Sequence, residues 1–150
     1  MNKIMTLAAC SLLMLTLFYG NCNKDDNPPA KSKTELLTQG NWKFDHATAS
    51  GAGDISNSVN ACIKDNIATF SSNGTLVIDE STNVCSPSYA GNYTWSLQNG
   101  ETILHLSAPL FPGGSNDFTL VSLNETNLVV SQTMTIPPYP TTTVEVTFKH

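Results

Sequence analysis

The sequence predicts an all-β domain: an antiparallel up-and-down barrel of about eight strands, preceded by one short helical turn. Three observations lead there. Asn-Gly pairs stand at 73–74 and 99–100, and Asn-Gly is the strongest short hairpin signal because both central residues of a type I′ turn need positive φ. Short segments of alternating apolar and polar residues recur from Trp42 to Phe148, the period of a half-buried strand. No later segment is amphipathic over enough length to be a second helix, so βαβ units are excluded. A meander whose last strand pairs with its first loses both open edges, which favours the barrel; an open sandwich is the alternative.

The N-terminus stands outside that fold. Lys3 precedes an apolar run over residues 4–18, shorter than the roughly 20 residues a spanning helix needs. Tyr19-Gly20-Asn21-Cys22 and Asn23-Lys24-Asp25-Asp26 follow. This stretch resembles a bacterial lipoprotein signal, although Tyr19 and Asn21 depart from its usual lipobox. The resemblance implies a signal peptide over residues 1–21 and Cys22 as the lipidated first residue of the mature chain. The Lys-Asp-Asp after Cys22 resembles the surface-export signal of Bacteroidetes-type lipoproteins. A cell-envelope lipoprotein of the outer membrane, held by its lipid anchor on either the periplasmic or the surface face, is the expected location. Residues 22–33, with Pro28-Pro29, form a tether with nothing to bury. The domain itself occupies residues 34–150.

Residues 34–39 read as a helical turn stopped by Gly40, placed to lid one end of the barrel. Trp42, Phe44 and His46 then alternate with Lys43 and Asp45 as a first strand. Residues 50–60 are rich in Gly, Ser and Asn and read as a loop. Strands near 67–71 and 75–79 flank Asn73-Gly74. Cys62 lies eleven residues before Asn73 and Cys85 eleven after Gly74. In a two-residue hairpin extended to its ends, those cysteines face one another. With Cys10 in the signal and Cys22 lipidated, Cys62 and Cys85 are the remaining pair, and outside the cytosol they are expected to be disulfide-bonded.

Around Asn99-Gly100 the same arithmetic pairs Leu97 with Thr102, Trp95 with Leu104 and Tyr93 with Leu106. A third hairpin at residues 124–127 pairs Leu123 with Leu128 and Val121 with Val130. Pro-Pro-Tyr-Pro at 137–140 is a break, because proline cannot donate to a ladder. The last strand, 141–149, places Val144, Val146 and Phe148 on one face.

Gly-Asn-Trp-Lys at 40–43, Phe70 with Asn73-Gly74-Thr75, residues 91–97 with Trp95, and Val-Thr-Phe at 146–148 together resemble the lipocalin-like domain of small Bacteroidetes lipoproteins. The cysteines bracketing the first Asn-Gly pair fit that pattern too. The resemblance spans residues 34–150 and implies a calycin-type barrel; it carries no catalytic residues.

Composition narrows the function. The 150 residues are 40% hydrophobic and 13% charged, with a net charge of −5, seven lysines and no arginine. Such a chain suits one folded domain, expected as a monomer, and is a poor partner for nucleic-acid phosphates. There is no Gly-x-Ser-x-Gly elbow, no Ser-x-x-Lys motif, no phosphate loop and no metal-ligand spacing. Neither an enzyme nor a cofactor is expected. Asp79-Glu80 and Asp25-Asp26 are adjacent pairs, and neighbours on an extended strand point to opposite faces, so neither forms a carboxylate dyad.

His46 and His105 each hold an alternating position from which both could face one interior; the plainer reading is a hydrogen-bonded strand histidine or a surface one. Trp42, Phe44, Tyr93, Trp95, His105 and Phe148 are the candidate ligand-binding residues. The plainer reading of the aromatics is that they fill the core, since an eight-stranded barrel is just wide enough to be packed or to hold one small ligand. Two functions follow: a binder of a small apolar ligand at one barrel end, or an interaction or inhibitor module working through loops near 50–60, 80–90 and 108–115 around a packed interior.

Overall fold

A computed structural model describes residues 29–150. The expected signal peptide, Cys22 and most of the tether lie outside the described residues. Helix α1 (Lys33–Thr38) opens the domain. Ser32 caps it: its hydroxyl accepts from Glu35 N, and the Glu35 carboxylate accepts from Ser32 N at 2.7 Å. This Ser-x-x-Glu box satisfies two otherwise orphaned donors, so a six-residue helix can start cleanly. Leu37 is its buried contact with the barrel.

Nine strands follow: β1 (Asn41–Ala49), β2 (Gly53–Asp54), β3 (Ile67–Phe70), β4 (Thr75–Asp79), β5 (Gly91–Gln98), β6 (Ile103–Leu106), β7 (Asp117–Leu123), β8 (Asn127–Met134) and β9 (Thr142–Lys149). All pair antiparallel in chain order, except that β3 pairs with β1, leaving β2 outside the barrel on the far part of β1. The β1–β9 ladder closes the sheet, so eight strands form a barrel and β2 is an appendage. The expected up-and-down barrel is the architecture found; the open sandwich is not.

The registers correct the sequence arithmetic in instructive ways. The first hairpin is one residue off. Ser71 N donates to Thr75 O, so the loop has three residues, 72–74, with Gly74 at φ +84° where a side chain is disfavoured. Phe70 therefore meets Leu76, and Ala68 meets Ile78. The two-residue loop would have set Ala68 against Asp79, apolar against charged. The second hairpin is shifted by two: Trp95 pairs with Leu106 and Leu97 with Leu104. A shift of two keeps each residue on its face, so the inward set survives. In the third, Leu123 pairs with Leu128 as expected, but a bulge at Val121 brings Leu120 opposite Val130. Val121 is left 48% exposed.

A second bulge lies in β1 between Phe44 and His46. One extra residue reverses the alternation. Trp42 and Phe44 face inward before it, and Ala47 and Ala49 after it. His46 is therefore turned outward, a surface histidine bonded to Asp45 rather than one facing the interior. The small side chains of Ala47 and Ala49 leave room for residues 50–60, which do not stay a simple loop. Ile55 N donates to Ala47 O, and Ile55 is 1% exposed. A 3-10 turn (Ser56–Ser58) and a single helical turn, α2 (Ala61–Lys64), complete the insertion.

The two barrel ends differ. One carries α1 and the tight turns after β3, β5 and β7. The other carries the longer segments 50–66, 80–90, 107–116 and 135–141. At the first end Trp42 Nε1 donates to Leu37 O at 2.8 Å, and Lys33 Nζ donates to Glu101 O at 2.7 Å. That end is shut.

Candidate functional site

The loops at the opposite end converge on an apolar cleft of about 120 Å³. Val59 and Ile63 come from the inserted segment, Phe111 from the β6–β7 loop, Met134 from the end of β8, and Ile136 and Pro137 from the β8–β9 loop. Its polar lining is Ser58, Asn60 and Thr135; no charged residue borders it. Below the cleft lies a void of about 30 Å³, reached past Ile63 and Phe111, which border both. A third, of about 10 Å³, shares Trp42, Ala68, Leu110 and Phe148 with the second. The spaces thus run in file from the mouth into the barrel and narrow as they go. Below the mouth the interior is packed with side chains.

The candidate residues read from the sequence separate accordingly. Trp42 and Phe148 border the two inner voids. Phe44 stands opposite Phe148 in the ladder and packs on the core. Tyr93 is half-buried, with its hydroxyl on Tyr89 O at 2.7 Å. Trp95 lies towards the shut end, edge-on to Phe70, and its Nε1 donates to Ser71 O at 3.0 Å. His105 is on the outer wall with Asp117, and His46 is beside Asp45 and Lys149. Neither histidine reaches the interior, so His105 does not join the aromatics. Among the described residues no three His, Cys, Asp or Glu side chains gather as a metal-ligand set.

The mouth residues Val59, Ile63, Phe111, Met134 and Ile136 were missed because four of them lie outside any strand and follow no alternation. One local sign was present. Phe111 before Pro-Gly-Gly and Ile136 before Pro-Pro are large apolar residues inside breaker-rich segments, and such residues need a surface to cover.

A disulfide and a buried carboxylate hold the loops of this end. Cys62 on α2 and Cys85 in the 80–90 loop form a disulfide with a Cα–Cα distance of 5.2 Å. The expected bond is present, but its setting differs from the expected strand ends. The β3–β4 ladder stops at Ile67 and Asp79, and the bridge joins two loop-borne segments beyond it. Glu80, 3% exposed, organises the same loop. Its carboxylate accepts from Ser88 Oγ at 2.6 Å, Tyr89 N at 2.7 Å and Cys85 N at 3.3 Å. The Ser88 bond first, then the Tyr89 amide, hold its pKa below the ordinary 4.5.

That depression fixes a sign. Glu80's contribution to stability is complete above the unfolded-state value of 4.5 and is lost as the pH falls through the lower folded value. Acid should therefore loosen residues 80–90, and Glu80→Gln should remove this part of the acid sensitivity. Melting temperatures of both proteins across the acid range test it, since Glu35, Asp45, Asp54 and Glu125 titrate in each and cancel. Parallel curves would mean that the carboxylate does not hold the loop.

Three buried polar atoms have no partner among the described residues: Asp65 Oδ1, Asn66 Oδ1 and Gln132 Nε2. Gln132 points inward from β8, and its Oε1 accepts from Ser115 N at 2.6 Å, tying the β6–β7 loop to the wall. Asn66 borders the second void.

Compared with known families, residues 38–130 match the model of a lipocalin-like domain. No curated protein matches the chain.

Proposed function

Because the chain belongs to the lipocalin-like domain family, we propose that it is a binding protein that takes a small apolar ligand at the open end of its barrel, held at the cell envelope by a lipid on Cys22. One observation carries this reading: the space that can admit a ligand is the uncharged cleft of about 120 Å³ at the mouth. Apolar cavities of about 150 Å³ take up benzene, so the cleft suits one ring or a short branched chain. Drug-sized ligands use pockets of roughly 300–1,000 Å³, which excludes a large lipid from the packed interior.

Binding is favoured over catalysis because the cleft is bordered by amide and hydroxyl groups without a base beside them. Both strand histidines sit on the outer wall with carboxylates. The tether supports the orientation. Lys31 Nζ meets the Glu125 carboxylate at 2.8 Å and Gln39 Nε2 donates to Glu125 O at 2.8 Å. The chain thus enters at the shut end, opposite the mouth.

Trp42 borders the inner voids and Trp95 does not. In a Trp95→Phe protein, Trp42 emission therefore reads the interior alone. Ring-sized apolar compounds in the cleft are expected to raise the melting temperature by mass action, and to change Trp42 emission when part of the molecule passes Ile63 and Phe111 into the second void. Ile136→Asp at the cleft should abolish both effects. The same packed interior favours a second reading, an interaction module acting through the loops gathered at this end. If a screen of small aromatic and aliphatic compounds moves neither signal, that second reading replaces the first.

The anchor is tested separately. Cys22→Ser is expected to release the protein into the soluble fraction, because each buried lipid CH₂ contributes about 0.8 kcal/mol and several chains are needed for stable attachment. A variant that stays in the membrane fraction would overturn lipidation at Cys22.

A further inference from the structure

The chemistry of the ligand can be narrowed from the second void. Its lining is apolar (Trp42, Ile63, Ala68, Ile78, Leu110 and others) apart from Asn66 and Tyr89. Tyr89 has its main chain committed, with N on Glu80 and O under the Tyr93 hydroxyl, and its own hydroxyl is not among the buried atoms left without a partner. Asn66 is different. Its backbone N donates to Ile63 O at 3.3 Å, but its side chain makes no hydrogen bond within the described residues. Its Oδ1 is buried without a partner. Asn66 as a residue is half-buried, but this one side-chain oxygen is out of reach of solvent, and a buried acceptor is destabilising until something donates to it.

We propose that the mouth cleft and second void form one site for a neutral, hydroxyl-bearing apolar molecule, a phenol or short alkanol, which enters hydroxyl first and hydrogen-bonds the Asn66 amide. The inference rests on the reading of the open end as a ligand site. A hydroxyl is selected for two reasons. It both donates and accepts, so it satisfies the amide whichever terminal atom faces the void. It also carries no charge, and neither space has a charged side chain to pair with a carboxylate or an ammonium.

The path lies between Ile63 and Phe111, which border both spaces. They are not equally free. Ile63 sits on the single turn of α2, next to the disulfide-bonded Cys62. Phe111 is in a loop followed by Pro112-Gly113-Gly114 and is steadied by an edge contact with Phe118 at 6.3 Å between ring centroids. Phe111 is therefore the side chain that turns aside to admit the hydroxyl.

A matched pair of probes tests this: 4-ethylphenol and ethylbenzene, titrated into the Trp95→Phe protein while Trp42 emission is recorded. The phenol should bind about three- to tenfold more tightly, the worth of one net hydrogen bond. Asn66→Leu should remove that preference and leave ethylbenzene affinity unchanged. Asn66→Ala, with its melting curve, serves the same comparison if the leucine variant folds poorly. Phe111→Ala should raise the association rate of both probes. Equal affinities for the two probes in the Asn66 protein, or a preference that survives both Asn66 variants, would overturn the hydroxyl site while leaving the mouth as an apolar site. Failure of both probes to bind would remove the mouth site itself, and this inference with it.

Discussion

Trp42→Ala is expected to lower the unfolding free energy by about 3–5 kcal/mol, the largest effect of any single substitution considered for this domain. Trp42 is fully buried, at 0% exposure. Its indole N–H is bonded to Leu37 O, so it fastens α1 over the shut end. The His150 ring lies 3.9 Å from it between centroids, with His150 Nδ1 on Asn41 O at 3.0 Å. Gly40 is required beside this stack, since a Cβ there would come within 2.9 Å of His150 Nδ1. Removing the indole would enlarge the two inner voids it borders and remove the donor that Leu37 O accepts from.

Trp42→Phe keeps most of the bulk and loses the hydrogen bond, so it should cost markedly less. Urea unfolding followed by circular dichroism measures both. A loss below about 1 kcal/mol for the alanine variant would mean that the site relaxes around the missing ring, contrary to a packed interior.

Breaking the Cys62–Cys85 bridge is expected to cost roughly 3 kcal/mol by the chain-entropy argument, for a sequence separation of 23. The loss should be uneven in space. The bridge holds α2, which carries Ile63, to the loop whose Cys85 amide donates to Glu80. Hydrogen exchange in the Cys62→Ser, Cys85→Ser protein should therefore rise most over residues 55–66 and 80–90. The β3–β4 ladder should keep its protection relative to the other strands. Selective loss of that ladder would instead show that the disulfide staples the hairpin. Ligand affinity at the mouth should fall as well, because a loosened α2 no longer presents a fixed wall.

Both predictions concern features whose residues were conspicuous in the sequence and whose settings were not. The cysteine pair was legible from the expected compartment and the count, yet the equal spacing that suggested a strand-end bridge assumed a two-residue turn. Ser71 and Thr75 close a three-residue turn instead. The apolar partners Leu76 and Ile78 select that register, because the alternative sets Ala68 against Asp79. Unbroken alternation from Trp42 and Phe44 carries His46 inward, and the bulge in β1 turned it outward. His105 stands between the inward Leu104 and Leu106, so alternation within β6 itself puts it on the outer wall, opposite Asp117.

Alternation, turn residues and the lack of a long amphipathic helix were enough, by themselves, to determine about eight antiparallel strands behind a short helical turn, because each is a property of residues near one another in the chain. Trp42, Trp95, Val144, Val146 and Phe148 were placed inward on that ground alone. That β9 closes on β1 as a barrel, rather than leaving an open sandwich, was decided by the tertiary structure. Only the tertiary structure decided the two bulges, the folding-in of Ile55, Val59 and Ile63, and the cleft they make with Phe111 and Ile136. A bulge is set by how a strand fits its partner and by the twist the closed barrel imposes. An apolar residue in a loop is buried only where the barrel end leaves a gap of its size. Neither condition is a property of the local sequence.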